Sequence, residues 1–488
     1  MIPLKGFTPD APTTTPGILL DCTDFIPYES GMRSAPSPSV VASALAAECR
    51  GARTLTQLSG TRRVFAGTAA GLYELNGTSW TDRSRGAGYS LGAQSEWSFA
   101  QFGDTSVAAN IDTTIQTSSS GAFADQATAP KAAIVESVMS SGGGFVFAFN
   151  TIDATYGTST DRWWCSALND VTNWTPSVSS QCTTGRIIGG TGTITAAKSL
   201  GSDRIVAYKS NSLYIGTYIG PPTVWAWQEV PVFGCAGLNA VADLGTIHFV
   251  VGQDDIYLFD GARPIPIADN KTRRWFIDNS SGTYRYKTKV IYDRTYDLVW
   301  VFFPSASSST GMCDMCLVYH MKTGEWGRYD RTVEAAFLYN VPGETFDGSS
   351  GTTFDADTGI FDQVSPGSQI PAFFDSSHIL NTINGTPVSA YMTLHDIGDD
   401  KIVTSLTEAR LQYMVAPTSS SLSAYSHMAT SNSLTSLPGS FTSYDVPGNG
   451  KNIFPLRQSG RWHRLVFSFT GLVKVVGYDV PLKQAGNR

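Results

Sequence analysis

Charge is scarce in this chain of 488 residues: 15% of its positions are Asp, Glu, Lys or Arg, against about 25% in an ordinary globular protein. The 34 basic and 41 acidic residues leave a net charge of −7, and no long Lys/Arg run offsets it locally. A protein that grips nucleic acid through its phosphates carries a basic surface, so this balance argues against such a binder. Long apolar runs are also missing. The longest, such as 247–251 and 298–303, fall far short of the ~20 residues that span a bilayer, so no membrane insertion is expected. The opening Met1-Ile2-Pro3-Leu4-Lys5-Gly6-Phe7 lacks the apolar stretch of a secretory signal, which predicts a protein not exported by that route. Amphipathic helical periodicity is nearly absent. Cysteine is present without pattern: seven residues, at 22, 49, 165, 182, 235, 313 and 316, odd in number and irregular in spacing, do not read as a disulfide framework.

Material for a core is plentiful. The chain is 42% hydrophobic and 11% aromatic, which excludes disorder, and its 47 Gly and 24 Pro imply frequent turns. Five Asn-x-Ser/Thr sequons, at Asn76, Asn173, Asn270, Asn279 and Asn384, follow from the Asn/Ser/Thr-rich composition and imply no glycan. Short β-branched and aromatic runs bounded by Gly, Asp, Asn and Ser dominate the pattern. In the clearest unit, runs at 238–242, 246–251, 255–259 and 264–267 are separated by three tight turns. Pro264 and Pro266 lack amide donors, so the last of these four strands is expected at an outer edge.

The unit recurs. Comparable runs begin near 63, 97, 144, 205, 247 and 298, a mean spacing of about 47 residues, and a weaker unit lies between 335 and 374. Four-stranded repeats of 40–50 residues predict a β-propeller. The competing reading is a pair of sandwich domains, whose strands would alternate apolar with polar. Residues 247–251 and 298–303 barely alternate, as suits strands covered on both faces. The chain is therefore expected to be all-β. An extended, Pro-rich N-terminal strap covers 1–54, a propeller of six to seven four-stranded blades covers 55–385, and a C-terminal β-rich region packing on the propeller covers 386–488. That last region contains a Ser/Thr-rich interruption at 418–443. Residues 462–480 read as a hairpin turning at Thr470-Gly471, and 270–286 as the one helical excursion.

Site chemistry is sparse. Cys313-x-x-Cys316 has no second pair to complete a zinc site, and strand alternation would point the two thiols to opposite faces. The glycine-rich stretches 86–92 and 142–144 lack the Lys-Ser/Thr of a phosphate loop and read as hairpin turns. Gly-x-Ser-x-Gly and His-Glu-x-x-His are absent. Residues 76–80 resemble a sialidase aspartate box only without its Asp-x-Gly order. A propeller glycosidase would place paired carboxylates at the channel, whereas Asp203, Asp243, Asp254, Asp255, Asp260, Asp293 and Asp297 stand where turns need them. No catalytic, cofactor-binding or metal-binding residues are assigned. The residues that stand out are aromatic. Trp80, Trp174, Trp227 and Trp326 fall late in their repeats, Trp163 and Trp164 are adjacent, Trp300 lies in an apolar run, and Arg461-Trp462 precedes the last strands. Packing between blades, rather than ligand stacking, is the expected role.

Several segments carry a family resemblance. Residues 65–80 (Phe-Ala-Gly-Thr-Ala-Ala-Gly-Leu-Tyr-Glu-Leu-Asn-Gly-Thr-Ser-Trp) and 161–176 (Asp-Arg-Trp-Trp-Cys-Ser-Ala-Leu-Asn-Asp-Val-Thr-Asn-Trp-Thr-Pro) are similar to the tail nozzle (tail hub) proteins of short-tailed bacteriophages. So are 255–261, 457–464 and 477–482, while Thr15-Pro-Gly17 and Tyr28-Glu-Ser-Gly31 fit that family's N-terminal strap. The resemblance implies a virion protein of the tail, assembled in the bacterial host cytoplasm. It implies a homohexameric ring below the portal adaptor that continues the DNA channel, retains the packaged genome and docks tail fibres or tailspikes. Genomic DNA would pass without specific binding, and no catalytic residues come with the family. A propeller glycoside hydrolase and a monomeric interaction scaffold are the alternatives.

Overall fold

In the computed structural model, residues 1–231, 233–340, 369–428, 442–447 and 452–487 are described. Seven antiparallel four-stranded units follow one another along the chain, covering 52–82, 98–125, 131–186, 194–231, 241–266, 289–328 and 335–385. In each, the first strand is innermost and the later strands step outward. The seven innermost strands stand side by side in cyclic order, and Ala335–Asn340 of the last lies beside Ala52–Thr56 of the first. The ring is therefore closed, and the molecule contains a seven-bladed β-propeller. We number the blades 1 to 7 in chain order.

Closure depends on the N-terminal segment. Ser37–Val40 pairs antiparallel with Leu380–Gly385 as the fourth strand of blade 7, and the chain then enters blade 1. A propeller fastened this way has no free end at its seam. Blade 5 ends, as its prolines require, on the outermost strand Pro264–Pro266, which among the described residues pairs with Ile256–Phe259 alone. Every residue of Leu298–Phe303 is buried, because each face of blade 6 is covered. Trp300 and Phe302 pack towards Phe373 of blade 7, while Val299, Val301 and Phe303 join the core shared with blades 4 and 5.

The rest of the chain forms a two-sheet β-sandwich. One sheet orders Leu19–Thr23, Ser389–Leu394, Trp462–Thr470, Ser419–His427 and Thr442–Pro447; the other contains Gly31–Ser34, Lys474–Asp479, Ile402–Val415 and Ile453–Gly460. Met392, Leu422 and Phe467 of the first meet Leu406, Phe454 and Val475 of the second in a buried core. The second sheet continues through Phe25–Tyr28 to the outer strand Trp326–Arg328 of blade 6, with Arg328 paired to Phe25.

Two expectations change here. Residues 1–34 supply strands to both sandwich sheets instead of lying over a finished body. Their apolar side chains, Leu4, Phe7, Leu19, Phe25 and Met32, are buried and need partners on two sides. Trp462–Thr470 and Lys474–Asp479 do not pair as a hairpin; the turn between them carries the chain from one sheet to the other. Phe467, Phe469, Val473 and Val475 then all face the interior, which one two-stranded ribbon could not arrange. The helical excursion is a helix at Arg273–Asn279 and a 3-10 turn at Arg285–Lys287. Asp10 caps the helix, accepting bonds from the Arg274 and Trp275 amides at 2.7 and 2.9 Å. The Ser/Thr-rich stretch 418–443 lies partly outside the described residues.

Candidate functional site at the propeller axis

The innermost strands turn one backbone edge towards the axis, and buried amides and carbonyls there need partners. Neighbouring blades supply them. The Ser98 hydroxyl bridges the Val135 amide and carbonyl of blade 3 at 3.0 and 3.3 Å. The Thr54 hydroxyl donates to the Leu338 carbonyl at 2.8 Å, and the Val290 amide to the Asn239 carbonyl at 2.8 Å. Close approach is essential between blades 5 and 6. A Cβ on Gly237 would overlap the Tyr286 carbonyl, so only glycine fits there.

Polar side chains from several blades converge on this axis. Glu136, on the innermost strand of blade 3, has a side chain only 5% exposed. It meets Lys198 of blade 4 at 3.0 Å and Arg53 of blade 1 at 3.8 Å. The Arg53 guanidinium also donates to the Phe99 carbonyl of blade 2. Glu96, at the head of blade 2, crosses to the far side. It meets Lys289 of blade 6 at 3.4 Å and accepts from the Asn239 carboxamide, beside blade 5, at 3.2 Å. Burial alone would push the Lys289 ammonium down, but Glu96 overrides it and holds Lys289 above the ordinary lysine value. Gln94 bonds the Tyr286 hydroxyl beside this crossing, so one end of the axis is spanned by side chains. Below the crossing lies a cavity of about 300 Å³, lined by Arg53, Glu136, Lys198, Lys289 and Tyr292. The exposed Asp243 also lines it.

Of the residues weighed from the sequence, Asp243 lines this cavity, whereas none of the tryptophans singled out there, nor Arg461, does. Trp80 is half-buried at the seam, its indole donating to the Ser43 carbonyl at 2.9 Å and its ring 5.6 Å from Phe374 of blade 7. Trp163 and Trp227 meet at 5.4 Å between blades 3 and 4, with Phe147 against both. Trp164 and Trp174 are buried in the cluster shared by blades 2 and 3. Trp300 stands edge-on to Tyr329 at 5.2 Å, and Trp326 packs 4.7 Å from Tyr319. Trp462 donates to Asp400 at 2.6 Å in the sandwich, where the neighbouring Arg461 amide bonds the His427 carbonyl. Cys313 and Cys316 fall in one buried cluster, because Cys313 precedes the strand Met315–His320 and strand alternation does not separate them. Burial pushes the Cys313 thiol up to about 12, and no metal-ligating group of three His, Cys, Asp or Glu occurs among the described residues.

The axial residues escaped sequence reasoning, although a clue existed. Glu136 interrupts the apolar run 132–138 and Lys198 ends the run 194–198. A lone charge in an otherwise buried strand needs a partner.

No protein-family model matches the chain, and no curated protein matches it in sequence. Among solved structures it is similar to the extracellular domain of the hybrid two-component system BT4673 from B. thetaiotaomicron. That likeness has 12% identity over 87% of this chain and 48% of the other, with a TM-score of 0.40. It is also similar to an exo-beta-1,3-galactanase from Phanerochaete chrysosporium, at 10% identity over 90% of this chain and all of the other, TM-score 0.30. YCF48 bound to D1 peptide is similar at 12% identity over 71% of this chain and 99% of the other, TM-score 0.36. The sheet order, rather than these likenesses, establishes the propeller.

Proposed function

We propose that the chain is a structural subunit of a bacteriophage tail, six copies forming a nozzle ring through which DNA passes between portal adaptor and fibres or spikes. The observation that carries this reading is the ordered family resemblance, whose segments fall in blades 1, 3 and 5 and in the sandwich. Two features of the fold are compatible with it. The axis of each propeller is crossed by Glu96 and its partners, so a conduit for DNA has to run between copies and not through one. Blade 6 and the sandwich share a sheet, which suits a rigid wall element.

The test is the assembly state of the full chain. Six copies of 52.4 kDa make a ring of about 314 kDa, which native mass spectrometry and cryo-EM class averages would resolve as a six-fold ring with an open centre. A strictly monomeric particle, alone and with the portal adaptor, overturns the reading in favour of an interaction scaffold. One observation favours a glycosidase, namely that Glu96 and Glu136 both face the axis. Hydrolysis of oligosaccharides that Glu96→Gln and Glu136→Gln each abolish would decide for it.

A further inference from the structure

We infer that the axial cavity binds a small multivalent oxyanion, with Arg53 and Lys198 as its donors. Two cationic side chains keep unspent hydrogen-bond donors in a confined space. Three cations, Arg53, Lys198 and Lys289, line the cavity with two carboxylates, Glu136 and Asp243, and Glu96 reaches Lys289 from outside that lining. Glu96 serves Lys289 at the spanned end. Glu136 alone stands between Arg53 and Lys198, which come from blades on opposite sides of the ring.

Neither donor is used up. Among the described residues, the Lys198 ammonium donates only to Glu136, leaving two of its three N–H groups. Arg53 lies 3.8 Å from Glu136, too far for a hydrogen bond, and spends one N–H on the Phe99 carbonyl. Among the described residues its fork makes no other hydrogen bond, and a guanidinium fork matches carboxylate or phosphate oxygens in pairs. The two side chains are 39% and 23% exposed while Glu136 is 5% exposed, so their free donors face the cavity, not the core. Walls of low dielectric strengthen the attraction for an anion. Asp243, the other lining carboxylate, accepts from the Gly245 amide through one oxygen at 2.6 Å. A volume of about 300 Å³ suits a phosphate ester or a tricarboxylate, near the small end of ligand pockets. This inference stands whether or not the chain forms a ring.

Calorimetric titration of the full chain with inorganic phosphate and with citrate, each against chloride at equal ionic strength, tests it. Saturable binding of one anion per chain is expected, and the tighter of the two identifies the oxyanion chemistry. Arg53→Gln and Lys198→Met should each weaken binding about tenfold or more, and Glu136→Gln should strengthen it by freeing both cations. Gln369→Glu, at an exposed lining position, should weaken it without touching the network, so the test survives a Lys198→Met chain that fails to fold. No saturable heat with either anion up to roughly 10 mM, or affinity unchanged in both Arg53→Gln and Gln369→Glu, overturns the inference.

Discussion

At the scale of single residues, Arg328 ties three parts of the molecule together. Its guanidinium meets Asp21 at 2.5 Å and Asp330 at 2.6 Å, and it lies over the rings of Phe7 and Trp275. N-terminal segment, blade 6 and helix therefore converge on one planar cation. Arg328→Ala is expected to cost about 2–4 kcal/mol, below the full value of a buried pair because Asp21 is partly exposed. Arg328→Lys should restore less than half, since an ammonium cannot stack or fork. Differential scanning calorimetry reads both, and a loss under about 0.5 kcal/mol in the alanine variant would refute the clamp. Asp293 is a second such residue. Burial raises its carboxyl to about 6, against the help of the Thr295 and Tyr296 amides and of Arg33, while Asp297 adds to the rise. A carboxyl raised on folding stabilises the folded state below its ordinary value near 3.8, and that stability is lost as pH rises to about 6. Asp293→Asn should therefore gain up to ~3 kcal/mol at pH 7 and gain nothing at pH 3. Melting curves across pH 3–8 check this, and equal shifts at both ends would contradict it.

Among the elements, the two sandwich sheets are joined by a polar contact as well as by their core. His463 and Ser426 stand on one sheet and Thr404 on the other, and the imidazole bonds the two hydroxyls at 2.7 and 2.9 Å. Burial lowers His463 to about 4. A histidine lowered on folding leaves stability intact above 6.5 and withdraws it as pH falls through 4. The sandwich should thus lose up to ~3 kcal/mol between pH 6.5 and 4, the opposite trend to Asp293. Hydrogen exchange of amides in Trp462–Thr470 measures it locally. Exchange that is flat over this range, or equally steep in His463→Gln, would disprove the link.

For the molecule as a whole, both units depend on the first forty residues. Removing residues 1–40 takes the fourth strand from blade 7 and strands from both sandwich sheets, uncovering Leu380 and the Phe467–Phe469 core. Such a truncation is expected to aggregate, because open apolar sheet edges pair with other chains; a soluble, cooperatively melting product would show that the seam closes without its clasp. Charge is the other whole-molecule property. In the proposed ring, six copies of a −7 chain would carry −42, so duplex DNA should bind weakly at low salt. Tight binding that collapses ~10³-fold or more between 50 and 200 mM salt would instead mark a DNA clamp.

The sequence by itself determined the repeat. Apolar runs without alternation at 298–303, prolines at the edge of blade 5 and turn residues every few positions are local features, and blade architecture follows from them wherever they recur. Packing between blades describes Trp163, Trp164, Trp174 and Trp227, whereas Trp326 packs on Tyr319 of its own blade and Trp462 lies in the sandwich. Other features needed the tertiary structure. The innermost strand of blade 1, Ala-Arg-Thr-Leu-Thr, is too polar to read as a strand, because one of its edges faces the axis. The seam joins residues 37–40 to 380–385, and no local pattern encodes a pairing over that distance. Nor could the axial site be read in the chain. Arg53, Glu96, Glu136, Lys198, Asn239 and Lys289 come from six separate repeats, and only closure of the ring brings them within reach of one another.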